Sequence, residues 1–143
     1  MKKIPSIVLA SAPKGTIWFG GGVDKIVVSL RVRPKISTRN SCMGLNSIEP
    51  IVGKYFQRQN NCWVMKVRPT RSGCLDKQVF ALFNKLPSSQ KFWDSINEVA
   101  EIDLFVGVFM ERNNRGMDIS PAAMKMLGER GVELSLDIYG PEF

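Results

Sequence analysis

The sequence predicts an α+β fold, a single domain with a four-stranded, mostly antiparallel sheet and helices packed on one of its faces. Three observations carry this prediction. Two stretches of the first half alternate apolar and polar residues, as half-buried strands do, and the second half changes to the period of amphipathic helices. The chain then ends on a helix, a glycine turn and another alternating stretch. Strands and helices mixed in this way over 143 residues are typical of one α+β domain.

Two predicted strands lie in the first half. Every second residue from 26 to 32 is apolar, and the intervening residues are polar or basic except for Val27, until Pro34 ends the run. Residues 63–67 show a similar pattern, with Val64 as the exception, until Pro69. Proline lacks a backbone donor and therefore ends both strands. Between them, residues 34–60 contain Ser, Thr, Asn, Gly and Pro at short intervals, so we expect a loop with at most one helical turn.

Two helices and a buried strand come next. Apolar residues with the helical period predict a helix over residues 76–86, which Pro87 ends, and Ser88 or Ser89 can cap a second helix after it. Residues 102–110 are apolar on both faces, which is typical of a central strand covered on each side.

The last two predicted elements have signals at their boundaries. Ser120 can accept a hydrogen bond from the first turn of a helix, and Pro121 suits that turn because its missing N–H is not needed there. Gly131 can adopt the left-handed conformation that ends a helix. Residues 132–138 then alternate, which predicts a half-buried strand.

The glycine run that ends at residue 22 separates two predicted parts. We expect residues 1–22 to form a flexible N-terminal arm and residues 23–143 to form the single α+β domain. The opening residues have a short, broken apolar centre, which disfavours a signal peptide and favours a cytoplasmic location. Cys42, Cys62 and Cys74 are odd in number and lack metal-binding spacing, so we expect free, mostly buried thiols.

The formal net charge of +7 is unevenly distributed. Residues 1–72 hold 13 lysines and arginines against 2 acidic residues, whereas residues 73–143 hold 7 against 11. The chain contains no histidine, which removes the usual general base and the commonest zinc ligand. It also lacks a phosphate-binding glycine motif. We therefore expect no catalytic residues, no metal site and no cofactor, and a binding role rather than an enzymatic one.

The candidate binding residues come from the alternation of the predicted strands. If these strands pair, the face away from the helices carries basic side chains from two strands and aromatic side chains from a third. The residues are Arg31, Arg33, Lys66, Arg68, Phe105 and Phe109. Basic groups beside aromatic rings on an open sheet can bind single-stranded nucleic acid, because the charges follow phosphates and the rings stack on bases.

Three alternatives account for the same face. Glu133, Ser135 and Asp137 share it and can neutralise the arginines. Trp18 and Phe19 of the arm can cover the phenylalanines. A protein partner or a second copy of the chain can also bury the patch, because an exposed aromatic surface is costly. We favour a protein partner, and we expect no membrane span because no run approaches the roughly 20 apolar residues that one requires.

Several motifs resemble one bacterial family, the domain of unknown function 4279. Residues 43–50, Met-Gly-Leu-Asn-Ser-Ile-Glu-Pro, resemble its short helix and turn, which a Gly-Lys pair then follows. Trp63-Val64-Met65 resembles its tryptophan-led second strand, and residues 119–127 resemble its terminal helix. Residues 134–139 resemble its last strand, which ends in aspartate-x-tyrosine. The resemblance spans residues 27–139, about four-fifths of the chain.

The resemblance implies a small single-domain bacterial protein. It carries over no catalytic residue because the family has no established activity, and some relatives resemble immunity proteins that neutralise toxins. We therefore expect a non-catalytic protein-binding domain, in its most concrete form an immunity protein or antitoxin that occludes a toxin domain. The alternative is a single-stranded nucleic-acid-binding protein that uses the same basic, aromatic face.

Overall fold

A computed structural model of the chain describes residues 25–35, 42–69, 75–111 and 115–141. The strands in these residues are β1 (Lys25–Pro34), β2 (Gln57–Gln59), β3 (Cys62–Lys66), β4 (Ala100–Phe109) and β5 (Glu133–Tyr139). The helices are α1 (Cys42–Val52), α2 (Leu75–Phe83), α3 (Gln90–Val99) and α4 (Pro121–Glu129). The predicted arm of residues 1–22, with Trp18 and Phe19, lies outside the described residues.

The strands form one mixed sheet in the order β2-β3-β1-β4-β5. β1 lies between β3 and β4 and is antiparallel to both, and β2 is antiparallel to β3, whereas β5 is parallel to β4. The prediction of a single α+β domain is confirmed, but the predicted four-stranded sheet is corrected to five strands in the described residues. The added strand, β2, consists of three exposed polar residues, so its backbone pairing with β3 defines it and no apolar pattern does.

The region predicted as a loop contains a full helix, α1, as well as β2. Leu45, Ile48 and Val52 are buried, and their spacing of three and four residues places them on one face of α1. Their period is hard to see in the sequence because polar residues and Pro50 interrupt it, and Pro50 lies within the helix. α1 packs against β1 and α3, and this burial stabilises a helix that local propensity does not favour.

The core lies between the helices and one face of the sheet. Four alternate residues in each of β1 and β4 point into it and are at most 3% exposed. These residues are Ile26, Val28, Leu30, Val32, Ile102, Leu104, Val106 and Val108. Trp93 of α3 is fully buried beside them, and its indole N–H donates to the carbonyl of Pro87 at 2.9 Å. The described helices all pack on this side, so no helix of the described residues covers the opposite side of the sheet.

The boundaries predicted for α4 are confirmed. The hydroxyl of Ser120 accepts a hydrogen bond from a backbone N–H of the first turn at 3.1 Å. Gly131 has a φ of 64° and ends the helix. The N–H of Gly131 donates to the carbonyl of Gly128 at 3.1 Å, and that of Val132 donates to Leu127 at 3.0 Å. This pair of bonds is the Schellman motif, in which the left-handed residue is usually glycine.

Candidate binding face

We call the side of the sheet opposite the helices the open face. It carries Lys25, Val27, Ser29, Arg31 and Arg33 of β1, Cys62, Val64 and Lys66 of β3, Glu101, Asp103, Phe105, Gly107 and Phe109 of β4, and Glu133, Ser135, Asp137 and Tyr139 of β5. The register aligns them in rows across the strands. Each side chain therefore has neighbours on adjacent strands at about 5 Å, which is close enough to interact.

A carboxylate lies at the centre of the open face. Asp103 is 1% exposed and pairs in register with Arg31 of β1. The Arg31 guanidinium donates from Nε to Oδ1 at 3.0 Å and from a terminal nitrogen to Oδ2, so the pair is bidentate. A terminal nitrogen of Arg33 lies 3.6 Å from Oδ1 of the same carboxylate. A buried carboxylate is costly without such partners, so the two arginines make this position tenable.

Arg31 is held on two sides. Its guanidinium carbon lies 4.3 Å from the centre of the Phe105 ring, in the geometry of a cation–π interaction. The hydrogen bond to Asp103, with the attraction of that negative charge, raises the pKa of Arg31 above its ordinary value, although partial burial opposes the shift. Arg31 is therefore a fixed, permanently charged group whose position depends on Asp103 and Phe105.

The far end of the open face is aromatic. The rings of Phe109 and Tyr139 stack with centroids 4.6 Å apart and an interplanar angle of 6°. The ammonium group of Lys25 lies 5.7 Å from the centre of the Phe109 ring. Gly107 lies directly beside this stack, since a Cβ there would be in van der Waals contact with a ring carbon of Phe109 at 3.4 Å. The result is a flat aromatic surface that is partly exposed on both rings.

The hydroxyl of Tyr139 donates to the carboxylate of Asp137 at 2.5 Å. This hydrogen bond, together with the negative charge of Asp137, raises the pKa of Tyr139 because both disfavour loss of the phenolic proton. The hydroxyl therefore stays a donor at neutral pH, and Asp137 is held by its neighbour on the same strand.

Most of the predicted binding residues lie where alternation placed them. The strand register brings Arg31, Arg33, Lys66, Phe105 and Phe109 to the open face. Arg68 is exposed and follows the end of β3 at Lys66, so no strand register places it there. The acidic residues of β5 share the face, as the alternative interpretation expected.

Three residues that organise this face are not among the predicted binding residues. Asp103 is the ion-pair partner of both arginines, Tyr139 stacks on Phe109, and Lys25 lies over that ring. A signal for Asp103 was present, because a single carboxylate inside an apolar strand requires a buried partner. The strand register that identifies Arg31 as that partner is a long-range feature.

Cys62 is a free, half-buried thiol on the same face. Burial raises its pKa, while the positive charges of Arg31 and Arg33 act in the opposite direction. The thiol therefore lacks the lowered pKa of a reactive cysteine. The side chains of Cys42 and Cys74 lie outside those the structure describes.

Two further features bear on the kind of site. Within the described ranges, no three His, Cys, Asp or Glu side chains converge in a way that could hold a metal ion. None of the helices in that part of the chain combines the length and apolar character needed to cross a membrane.

These features define the class of protein, an α+β domain whose mixed sheet has helices on one face and a charged, aromatic open face on the other. The sequence profile of one family, described as Domain of unknown function (DUF4279), matches residues 37–141. The chain belongs to this family. The match includes Asp103, Phe105 and Tyr139, whereas β1 precedes it. No match to the chain was found among the curated proteins or among the solved structures.

Proposed function

We propose that the chain is a non-catalytic bacterial protein that binds another protein through the open face. Its most concrete form is a cytoplasmic immunity protein or antitoxin that occludes a toxin domain. The observation that carries the proposal is the cluster in which Asp103 and Phe105 hold Arg31 in place. Arginine and aromatic side chains are the residues that most often dominate the energy of protein interfaces.

The fixed geometry of the cluster supports tight binding. A flexible side chain loses about 0.5–1.5 kcal/mol of conformational freedom when a partner immobilises it. Arg31 has already lost most of that freedom in the unbound protein, because a bidentate ion pair and an aromatic ring hold it. Arg33 is more exposed and contacts Asp103 only at 3.6 Å, so it retains donors for a carboxylate of the partner.

The charges of the open face favour a protein over a nucleic acid. The described part of this face has equal numbers of basic and acidic side chains. These are Lys25, Arg31, Arg33 and Lys66 against Glu101, Asp103, Glu133 and Asp137. The basic residues lie on β1 and β3, and the acidic ones lie on β4 and β5. A phosphate backbone would be repelled by the second group, whereas a protein surface can match both.

The separation of basic and acidic strands also predicts the surface of the partner. We expect an acidic patch opposite β1 and β3 and an apolar contact opposite the rings of Phe109 and Tyr139. Charge complementarity would speed the encounter, and the buried rings would supply affinity. A toxin with an acidic binding region fits better than a strongly basic nuclease, whose charge would oppose the basic strands.

The second candidate function is single-stranded nucleic-acid binding by the same face. The stack of Phe109 and Tyr139 beside Lys25 favours it, because exposed rings next to a cation can take up unpaired bases. This alternative predicts that affinity falls steeply with salt, since phosphate contacts release counterions. The alternative is excluded if the chain does not bind single-stranded RNA or DNA at low salt, or if added salt leaves the affinity unchanged.

The proposal is tested by affinity capture of the tagged full chain from its native cells, with nuclease-treated and untreated samples in parallel. We expect one stoichiometric protein that survives nuclease treatment. Recovery of RNA or DNA, with the proteins lost after nuclease, would contradict a protein-binding function. For the immunity form, the captured partner is assayed for toxicity with and without an equimolar amount of the chain. Toxicity that the chain does not reduce rejects that form.

A further inference from the structure

The β5 strand is an edge of the sheet with an exposed apolar row. Leu134, Leu136 and Ile138 are 36%, 48% and 59% exposed. Their register partners on β4 have the same orientation and are at most 3% exposed. Among the described residues, no strand pairs with the other side of β5. The row therefore lies on the core side of the sheet, but the helices cover it less than they cover the neighbouring residues of β4.

The backbone of this row faces the free edge. The carbonyl of Tyr139 accepts a hydrogen bond from the N–H of Met110 at 2.9 Å, so the backbone of Tyr139 points toward β4. Backbone groups of a strand point to alternate sides, so those of Leu134, Leu136 and Ile138 point outward. Such an edge is a template for a further strand, and proteins often protect it with charged side chains, proline or a short strand. β5 has seven residues and no proline, and its two charged side chains, Glu133 and Asp137, lie on the face opposite the apolar row.

We propose that a second copy of this chain pairs with β5 in an antiparallel manner, related by a two-fold axis at Leu136. This register opposes Leu136 to itself and Leu134 to Ile138. All three residues have outward backbone groups, so each opposed pair can exchange two backbone hydrogen bonds. The apolar rows of the two copies become one continuous stripe. The inference does not rest on the proposed function, because the apolar row points away from the open face. The two surfaces share only the open-face residues of β5, which are Glu133, Ser135, Asp137 and Tyr139.

The side chains of β5 are complementary to themselves in this register. Glu133 lies opposite Tyr139, and Ser135 lies opposite Asp137, so each carboxylate of one copy faces a hydroxyl donor of the other. In the single chain the same groups bond along the strand, Tyr139 to Asp137 at 2.5 Å and Ser135 to Glu133 at 3.4 Å. The donors needed for pairing are therefore already oriented on the correct face.

The neighbouring registers overlap less of the strand and are less favourable. An axis at Ser135 opposes Glu133 to Asp137, and an axis at Asp137 opposes that carboxylate to its own copy. Like charges directly opposite each other destabilise a strand pair. Axes at Leu134 or Ile138 avoid this repulsion but overlap only about half of the strand. The register centred on Leu136 is thus the one that overlaps all of β5 without opposing two carboxylates.

The test is sedimentation equilibrium of the full chain over a concentration series. The wild-type chain is expected to shift from 16.0 kDa toward about twice that mass as concentration rises. Leu136→Pro removes an outward N–H and the leucine side chain at the axis but no hydrogen bond to β4, and should remain a monomer. Leu136→Lys opposes two like charges at the axis and should also remain a monomer, with circular dichroism showing that both variants are folded. Met124→Lys is the control, because Met124 is 51% exposed on α4 and lies outside the edge, so this variant should still dimerise.

A mixing experiment tests the register itself. Leu136→Lys and Leu136→Glu should each be monomeric alone and should form a dimer when mixed, since residue 136 faces residue 136 across the axis. A wild-type chain that stays at 16.0 kDa up to about 1 mM overturns the proposal. That result is expected if the edge instead pairs with a strand of another protein. A dimer that persists in Leu136→Pro and Leu136→Lys, or mixed variants that stay monomeric, overturns it as well.

Discussion

The two faces of the sheet are stabilised in different ways. On the core face, many apolar side chains pack against the helices, and each contributes in proportion to the surface it buries. On the open face, one buried carboxylate, that of Asp103, positions Arg31 and Arg33, and Arg31 in turn lies over Phe105. The core face therefore tolerates changes that conserve volume, whereas the open face depends on the charge of a single residue.

The largest expected effect is on the core face. Trp93→Ala should lower the free energy of unfolding by about 3–5 kcal/mol, because it leaves a large cavity and removes the donor to the Pro87 carbonyl. Urea denaturation followed by circular dichroism measures this. Lys91→Ala, at an exposed position of the same helix, is the control and should change stability by less than about 0.5 kcal/mol. A loss below about 1 kcal/mol for Trp93→Ala would contradict the packing described for this face.

The corresponding change on the open face is Asp103→Ala. We expect a loss of about 2 kcal/mol, since charge-assisted bonds to Arg31 are lost but that side chain is exposed enough to be partly solvated. Glu133→Gln alters the next carboxylate in the same row, which is exposed, and should change stability by less than about 0.5 kcal/mol. Equal effects of the two substitutions would show that Asp103 has no special role.

Alanine substitutions at two glycines, one in α4 and one in its C-terminal cap, should change the free energy of unfolding in opposite directions. Gly131→Ala should cost about 1–2 kcal/mol, because alanine is strained at a φ of 64°. Its Cβ would also lie 2.7–2.9 Å from the carboxamide of Asn97, which donates to the carbonyl of Arg130. Gly128→Ala meets nothing within 4 Å in the helix and should stabilise by about 0.4–1 kcal/mol. Thermal unfolding compares both, and a neutral Gly131→Ala would contradict the cap geometry.

The smallest expected effect is a shift in ionisation on the open face. Tyr139 should titrate above the usual tyrosine pKa of about 10, since its neutral form donates to Asp137 and its ionised form is repelled. Asp137→Asn should lower this pKa, and Glu133→Gln should leave it unchanged. The absorbance of tyrosinate in a Tyr55→Phe background isolates the signal, because the chain has two tyrosines.

The raised pKa of Tyr139 also determines how the stability of the fold changes with pH. A pKa raised in the folded state stabilises the protein below the unfolded value of about 10, and this contribution is lost as pH rises through the pKa of Tyr139. Asp137→Asn should therefore weaken the alkaline dependence of the thermal midpoint. An unchanged titration of Tyr139 in that variant would contradict the hydrogen bond.

The parts of the fold that the sequence predicts are those with local signals. Every inward-facing residue of β1 is apolar, and α4 has a serine at one end and a glycine at the other. α1 was missed because Pro50 and polar residues obscure a stripe that becomes apparent only when it packs. β2 has no apolar residue, so only its pairing with β3 makes it a strand.

The sequence predicts which residues lie on the open face but not how their side chains contact each other. Alternation alone assigns Arg31, Arg33 and Phe105 to one side, because side chains in a strand alternate regardless of its neighbours. The ion pair between Arg31 and Asp103 joins residues 72 positions apart, and it depends on the register of β1 against β4. A single sequence contains no local signal for that register.

We expect the open face to bind a protein partner, and paired charge reversals are the sharpest test of this claim. Lys25→Glu with Lys66→Glu changes two exposed residues of the open face, and Lys77→Glu with Lys85→Glu makes the same change in charge at exposed positions in and just after α2. Calorimetry with the captured partner should show binding at least about tenfold weaker for the first pair and within about twofold of wild type for the second. Equal weakening by both pairs, or a larger effect from the α2 pair, would contradict the claim.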